Sequence, residues 1–243
     1  MKSVSPDAYV VGIDDTDMPD IGGTGRLSRR LVAEIEALGL ARSQGVTRHQ
    51  FFEGPGVPKT ARNSAAAVAL DGVTSVSVLF EALCGIVARE SIDGSDPGVA
   101  MGKAPVSPEL VEFGRRAQTG LVAQTEAWRL GSDHDIRLVG LGGTQGGVIG
   151  ALGAMALRVA GNDGRFVDLP GIRQVAGVMA VADVLSQTAI IDVIDADVGE
   201  SLAPADHVDL GDWVRPRLMD GRPVLVARLH EERWVNADSR SSK

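Results

Sequence analysis

Residues 136–157 read IRLVGLGGTQGGVIGALGAMAL, and the order of the parts decides the fold class. Residues 136–141 are a compact apolar run after the polar break at 131–135, the pattern of a strand. Gly142-Gly143-Thr144-Gln145-Gly146-Gly147 follows as a loop, and residues 148–160 continue as a helix of small and aliphatic side chains. A strand delivered into a glycine loop that opens a helix implies an α+β or mixed α/β fold. Glycines let backbone N–H groups converge, and a helix N-terminus adds partial positive charge, so a phosphate could sit near Gly146 and Gly147. It is not a Walker loop, because no Lys-Ser/Thr follows, and no acidic residue arrives at the spacing of the dinucleotide fingerprint. The same small residues, Gly150, Ala151, Gly153 and Ala154, would equally serve close packing of a helix on a sheet.

Towards the N-terminus, residues 8–13 (AYVVGI) form a β-prone run that ends in Asp14, Asp15 and Asp17 and then in Gly22, Gly23 and Gly25, a strand entering a loop. Leu27, Leu31, Ile35 and Leu38 recur at helical spacing, with Thr24 as a cap near the start. Residues 46–52 and 65–70 read as strands on either side of a Pro/Gly-broken loop at 54–63, and a helix over 75–89 carries Cys84. Residues 91–102 are turn-rich, and 107–127 read as one helix. Downstream, 165–169 and 189–194 read as strands, separated by an apolar stretch at 175–185 read as helix. After Gly199, Pro204, Pro216 and Pro223 separate short strands at 213–218 and 223–229, with Asp220-Gly221 as a hairpin signal between them. The expected organisation is a catalytic region over 8–198, a small β-rich appendage over 199–238, and a disordered tail at 239–243.

The 243 residues suffice to bury roughly three quarters of the unfolded chain's surface without staples. Apolar residues at 44% and charged residues at 23% exclude wholesale disorder and a coiled coil. The single cysteine, Cys84, excludes an intramolecular disulfide and a multi-cysteine zinc ribbon, and on an apolar helix it reads as core packing. A net charge of −8 repels polyanions at long range, so a nucleic-acid grip would need a local basic patch. No apolar run is long enough to span a bilayer, and MKSVSPDAYV lacks a hydrophobic signal core, so a cytoplasmic protein without a membrane partner is expected.

Two further groups could carry chemistry. Asp14, Asp15 and Asp17 repel one another unless a cation or donors compensate, and hard oxygen ligands of this kind suit Mg²⁺ beside phosphates. In extended backbone Asp15 and Asp17 share a face while Asp14 points the other way, which favours the pair as direct ligands; turn and helix capping is the alternative use. Lys59, Thr60, Arg62 and Asn63 form a loop that could neutralise phosphate, Arg by a planar fork and Lys as a point charge, or simply be a solvated surface. His49, His134, His207 and His230 show no paired metal-ligand spacing.

GIDDTD at 12–17, the Pro-Lys-Thr loop ending in Asn63, Asp96-Pro97-Gly98, and the glycine loop entering Val148-Ile149-Gly150-Ala151-Leu152 occur in an order that resembles the N-terminal catalytic half of tRNA-isoleucine 2-agmatinylcytidine synthetases. The resemblance is spread over about residues 8–194. It implies a kinase-like nucleotide-binding core with a ferredoxin-like portion, and use of Mg-ATP to activate a substrate by phosphoryl transfer. Asp14, Asp15 and Asp17 would be the catalytic and metal-holding aspartates. Thr24 would be a phosphate contact or transient acceptor, and Lys59, Thr60, Arg62, Asn63, Gly143, Thr144, Gly146 and Gly147 would bind the nucleotide. Two departures stand out: Gly23-Thr24-Gly25-Arg26 replaces the family's Cys-Thr-Thr-Tyr, and the arginine of its Lys-Thr-Arg-Gly-Asn loop is moved one place, to Arg62. The family's tRNA-holding OB-fold and zinc ribbon have no room after Gly199. The expectation is therefore an ATP- and Mg²⁺-dependent phosphoryl- or nucleotidyl-transferring enzyme acting on a small molecule, without tight tRNA binding by this chain alone. An RNA-modifying enzyme gripping its RNA through a partner, and a non-catalytic nucleotide- or metabolite-binding module, are the alternatives.

Overall fold

The computed structural model describes residues 4–5, 7–14, 24–57, 63–92 and 94–238, with 24 and 25 described in backbone only. In chain order the elements are β1 (Tyr9–Asp14), α1 (Thr24–Ala37), β2 (Arg42–Gln50), β3 (Ser64–Asp71), α2 (Val76–Glu90), β4 (Gly98–Lys103), α3 (Pro108–Thr119), α4 (Gln124–Asp133), β5 (Arg137–Gly140), α5 (Val148–Ala160), β6 (Arg165–Asp168), β7 (Val178–Ala180), α6 (Val181–Gln187), β8 (Asp192–Asp195), β9 (His207–Asp209), β10 (Arg217–Met219), β11 (Arg222–His230) and β12 (Arg233–Asn236). The fold is mixed α/β. The described strands join one mostly antiparallel sheet in the order β5-β4-β1-β3-β2-β6-β10-β11-β12-β9-β7, with β8 pairing β11.

Alternation along β1, β3 and β4 sorts residues to two unlike faces. Val11, Ile13, Ala66, Val68, Leu70, Val99 and Met101 meet Leu31 and Ile35 of α1 and Leu79, Leu83 and Val87 of α2. The other face carries Gly12, Ala65, Ala67, Ala69, Gly98, Ala100 and Gly102, and α5 lies on this carpet of small side chains. A Cβ added at Gly12 would sit 1.9 Å from the Ala151 carbonyl oxygen, and one at Gly98 would sit 2.2 Å from the Gly147 carbonyl carbon. Backbone thus meets backbone, and glycine is required at both places. Leu110 and Phe113 of α3 and Ala127 and Leu130 of α4 cover the far side of α5, which is why this helix is apolar almost all round. It stops at Gly161, whose φ of 82° is left-handed.

A third apolar cluster runs from Phe166 to Trp234 and includes Val181 and Val184 of α6, Val193 of β8, Val208 of β9 and Leu225 of β11. The stretch 199–238 packs there together with residues that precede it in the chain. Asp220 and Gly221, with φ of 47° and 73°, make the tight turn between β10 and β11 that their dipeptide announces.

Four local expectations need correction. Residues 107–127 are two helices, because Gly120 is extended and its N–H closes α3 on Arg116. Residues 175–185 divide between β7 and α6, since edge pairing with β9 claims Val178–Ala180. The strand expected over 213–218 is shorter and lies further along the chain, at Arg217–Met219. Leu38 falls just past α1 and is 59% exposed, so the buried stripe is carried by Leu27, Leu31, Val32 and Ile35. Among the described residues no helix is long and apolar enough to cross a membrane.

Candidate functional site

Register places three chain segments at one end of the sheet. Asp14, the last residue of β1, pairs with Gly98, the first of β4, and Gly98 in turn pairs with Gly140, the last of β5. The glycine loop leaves β5 here and α5 begins, so Asp14 is brought beside a helix start that lies over 130 positions away in sequence. The contact is intimate: a Cβ added at Gly150 would lie 1.8 Å from Asp14 Oδ2. The carboxylate therefore packs against the first turn of α5, where the positive end of the helix dipole favours negative charge.

The loop is fastened by Asp96. Its carboxylate accepts from the Thr144 N–H at 2.7 Å through Oδ1 and from the Thr144 hydroxyl through Oδ2. Its carbonyl accepts from the Gly147 N–H at 3.0 Å. Leu141 N–H donates to the Pro97 carbonyl at 2.7 Å, and Gln124 Nε2 donates to the Thr144 carbonyl at 2.8 Å. Gly143 takes a φ of 49° and has no space for a side chain beside Asp96. Gly146 differs, since an added Cβ there would meet only the Thr144 and Asp96 side chains, at 3.4 Å and beyond. So Thr144 and Gly147 spend groups on holding the loop, and the open side of the cradle is at Gly146, four residues before the Gly150 against which the Asp14 carboxylate packs.

Asp15, Asp17, Lys59, Thr60 and Arg62 lie outside the described residues, as does the tail at 239–243, and of Thr24 only the backbone, at the start of α1, is described. Asn63 stands just before β3, at the same sheet end as Asp14. Its amide Nδ2 donates to the Phe52 carbonyl at 2.8 Å and its N–H to Glu53 Oε1 at 3.3 Å, so it ties the β2–β3 connection together. Asp96 as the fastener and Gln124 as its support were not expected from the sequence; Asp96-Pro97-Gly98 signals a turn but not what the carboxylate holds. No group of three or more candidate metal ligands among His, Cys, Asp and Glu occurs among the described residues.

A second polar cluster sits under the β2–β6 junction. His49 is fully buried, with Nδ1 donating to Asp163 Oδ2 at 2.6 Å and Nε2 accepting from the Thr47 hydroxyl at 2.8 Å. Burial holds the imidazole below its usual 6.5, outweighing the opposite pull of Asp163, and nearby Arg158 adds to the depression. Burial also works against the Asp163 carboxylate, but hydrogen bonds from His49, Gln118 and the Gly164 N–H outweigh it and leave that carboxyl below its ordinary value. Because the folded His49 pKa is depressed, its contribution to stability is complete above 6.5 and is lost as pH falls through the folded value. Unfolding free energy should therefore fall between pH 7 and pH 5 by up to about 1.4 kcal/mol per pH unit from this residue, and His49→Gln should flatten that slope in urea titrations. An unaltered slope in the variant would place the titration elsewhere.

The geometry defines a class: a mixed α/β domain with an acidic strand end packed on the start of a glycine-led helix. No protein-family model matches the chain, and no curated protein does. Solved structures do. A tRNA fluorescent labeling enzyme superposes with a TM-score of 0.54 at 23% identity, covering 61% of this chain and 36% of that one. TiaS, a tRNA agmatidine synthetase, superposes in its complex with tRNA and ATP with a TM-score of 0.54 at 23% identity, covering 62% and 36%. Its complex with tRNA, AMPCPP and agmatine gives 0.53 at 22%, covering 61% and 36%. The chain has the fold of a part of these proteins and spans about a third of their length. The family to which its motifs are similar is the one with which it shares that fold.

Proposed function

We propose that the chain binds Mg-ATP at the β1 end and glycine loop and transfers a phosphoryl or nucleotidyl group to a small molecule. The observation that carries this reading is the juxtaposition of Asp14 with the first turn of α5, the helix into which the glycine loop with its open Gly146 leads. A carboxylate and an ATP phosphate compete for one helix N-terminus unless a cation reconciles them, and Mg²⁺ when bound supplies that charge compensation. The donor set suits it: Asp14 in place, with Asp15 and Asp17 adjacent in sequence. In this reading Gly146 and the loop receive phosphate oxygens, Asp96 keeps the loop rigid, Lys59 and Arg62 neutralise charge that develops during transfer, and Thr24 is a contact or acceptor at the start of α1. TiaS, crystallised with ATP and with AMPCPP, supports nucleotide use by this fold.

A second reading rests on the same structures, which hold tRNA: the acceptor is an RNA nucleotide, and a partner supplies the grip. The net charge of −8 and 4% aromatics weigh against tight RNA binding by this chain itself.

Incubation with ATP, with and without chelator, followed by separation of ADP from AMP, tests the proposal. Magnesium-dependent turnover is expected, and Asp14→Asn should lower it by about 100-fold or more while the circular dichroism spectrum is kept. Turnover unchanged in that variant removes Asp14 from the site. A sub-micromolar gel shift with bulk tRNA at ~0.15 M salt favours the RNA reading.

A further inference from the structure

One corner of the fold touches both the glycine loop and the β2–β3 connection. Residues 120–123 join α3 to α4, and the corner they make is held stiffly. Gly120 ends α3 in extended backbone, and Val122 packs against the apolar cluster around α5. Arg116 of α3 grips Glu126 of α4 with both arms of its fork, at 2.5 and 3.3 Å.

Two side chains leave this corner for two different loops. Gln124 Nε2 donates to the Thr144 carbonyl at 2.8 Å, inside the glycine loop. Leu121 lies on Gly56 of the β2–β3 connection, where an added carbon would stand 3.1 Å from Leu121 Cδ1. The end of α3 adds two ties beside that contact: the Phe52 N–H donates to the Ala117 carbonyl at 3.0 Å, and Gln118 Nε2 donates to the Gln50 carbonyl at 3.2 Å. Leu121 is 64% exposed, so burial alone gives little reason for a large apolar side chain there. Gly56, at a φ of 91°, has no side chain with which to fix itself, and the leucine supplies the missing contact.

We propose that Leu121 and Gln124 are positioning residues for the nucleotide, holding the glycine loop and the β2–β3 connection at one separation through the stiff corner between them. The inference rests on the ATP reading, in which the glycine loop receives phosphate oxygens and Lys59 and Arg62, which follow the second loop in the chain, neutralise charge. A ligand that spans two loops binds more tightly when both are held in place beforehand, because ordering them on binding costs part of the interaction energy. Neither side chain touches the nucleotide in this role; each acts through the loop it contacts.

Hydrogen exchange of the whole chain, read by mass spectrometry without nucleotide, tests the brace by itself. Gln124→Met keeps the reach and helix propensity but loses the donor, and Leu121→Ala removes the contact at an exposed position. Each variant should speed exchange by about threefold or more in both loops, over 142–147 and over 52–57, while the urea midpoint stays that of the parent. Leu121→Met, which restores the reach, should return the parent's exchange. With Mg-ATP, the apparent Kd from thermal shift should rise by about fivefold in each of the first two variants and further in the double variant, with Leu121→Met close to the parent. Exchange raised only in the loop that the altered residue touches, exchange unchanged in both, or an unaltered Mg-ATP affinity in the double variant would overturn the proposal. A parent chain with no Mg-ATP shift sinks the ATP reading and the nucleotide role given to the corner, and the exchange measurement, which contains no nucleotide, still shows whether the corner holds the loops.

Discussion

Gly12→Ala is expected to destabilise the protein by about 3 kcal/mol or more, enough to leave much of it unfolded. The added carbon would lie 1.9 Å from the Ala151 carbonyl oxygen, 2.8 Å from its carbonyl carbon and 3.0 Å from the Met155 nitrogen. All three are backbone atoms of α5, so no side chain can swing aside, and the helix must lift from the sheet. Lifting it exposes the faces of Ala65, Ala67, Ala69 and Ala100 that it covers and opens gaps that other atoms cannot fill. Gly85→Ala is the control: it lies inside α2, nothing stands within 4 Å of the added carbon, and it should stabilise the protein by about 0.5–1 kcal/mol through helix propensity. Urea unfolding of the pair checks both signs. A Gly12→Ala protein as stable as the parent would mean that α5 does not rest on β1 as closely as the structure places it.

Arg158→Met should have the next largest effect, and in the opposite direction. Arg158 is 2% exposed, and among the described residues its Nε and Nη1 are buried without a hydrogen-bond partner. Its other contacts are modest: Nη2 donates to the Gln44 carbonyl at 3.4 Å, and the guanidinium lies 4.9 Å from the centre of the Phe166 ring. Burial drives its pKa well below the usual guanidinium range, down to about 10. A depressed pKa in a cationic group means that the charged form is disfavoured in the folded state at every pH below that value, a cost of roughly 3 kcal/mol at neutrality. Methionine has a similar reach, no charge, and a thioether that packs well against an aromatic ring. Part of the guanidinium's stacking energy is lost with it, so a net gain of about 2 kcal/mol is expected, a rise in Tm of several degrees. A loss of stability would show that the stack on Phe166 outweighs the cost of burying the charge. The same substitution removes a positive neighbour of His49 and should raise the imidazole pKa, which shortens the acid limb of the stability profile from its low-pH end and reduces the stability lost there.

Much of the local structure is legible in the chain itself. The apolar run at 136–141, the glycines after it and the small residues from 148 onward announce strand, loop and helix, because each signal is written within one or two turns of chain. The β-prone apolar run of β1, the stripe on α1 and the Asp220-Gly221 turn are legible for the same reason. The expectation fails where a tertiary neighbour decides: Gly120 divides the helix read over 107–127, and pairing with β9 makes a strand of Val178–Ala180.

The candidate site divides in the same way. The sequence by itself determined which residue types were available, an acidic strand end and a glycine loop, and it narrowed the fold to α+β or mixed α/β. Only the tertiary structure decided that Asp14 packs against Gly150 and that the Asp96 carboxylate fastens Thr144. Each of these depends on which strand lies beside which and in what register. Register is set by burying the faces of the sheet together, a sum over α1, α2, α5 and the strands between them that no single segment of the chain contains.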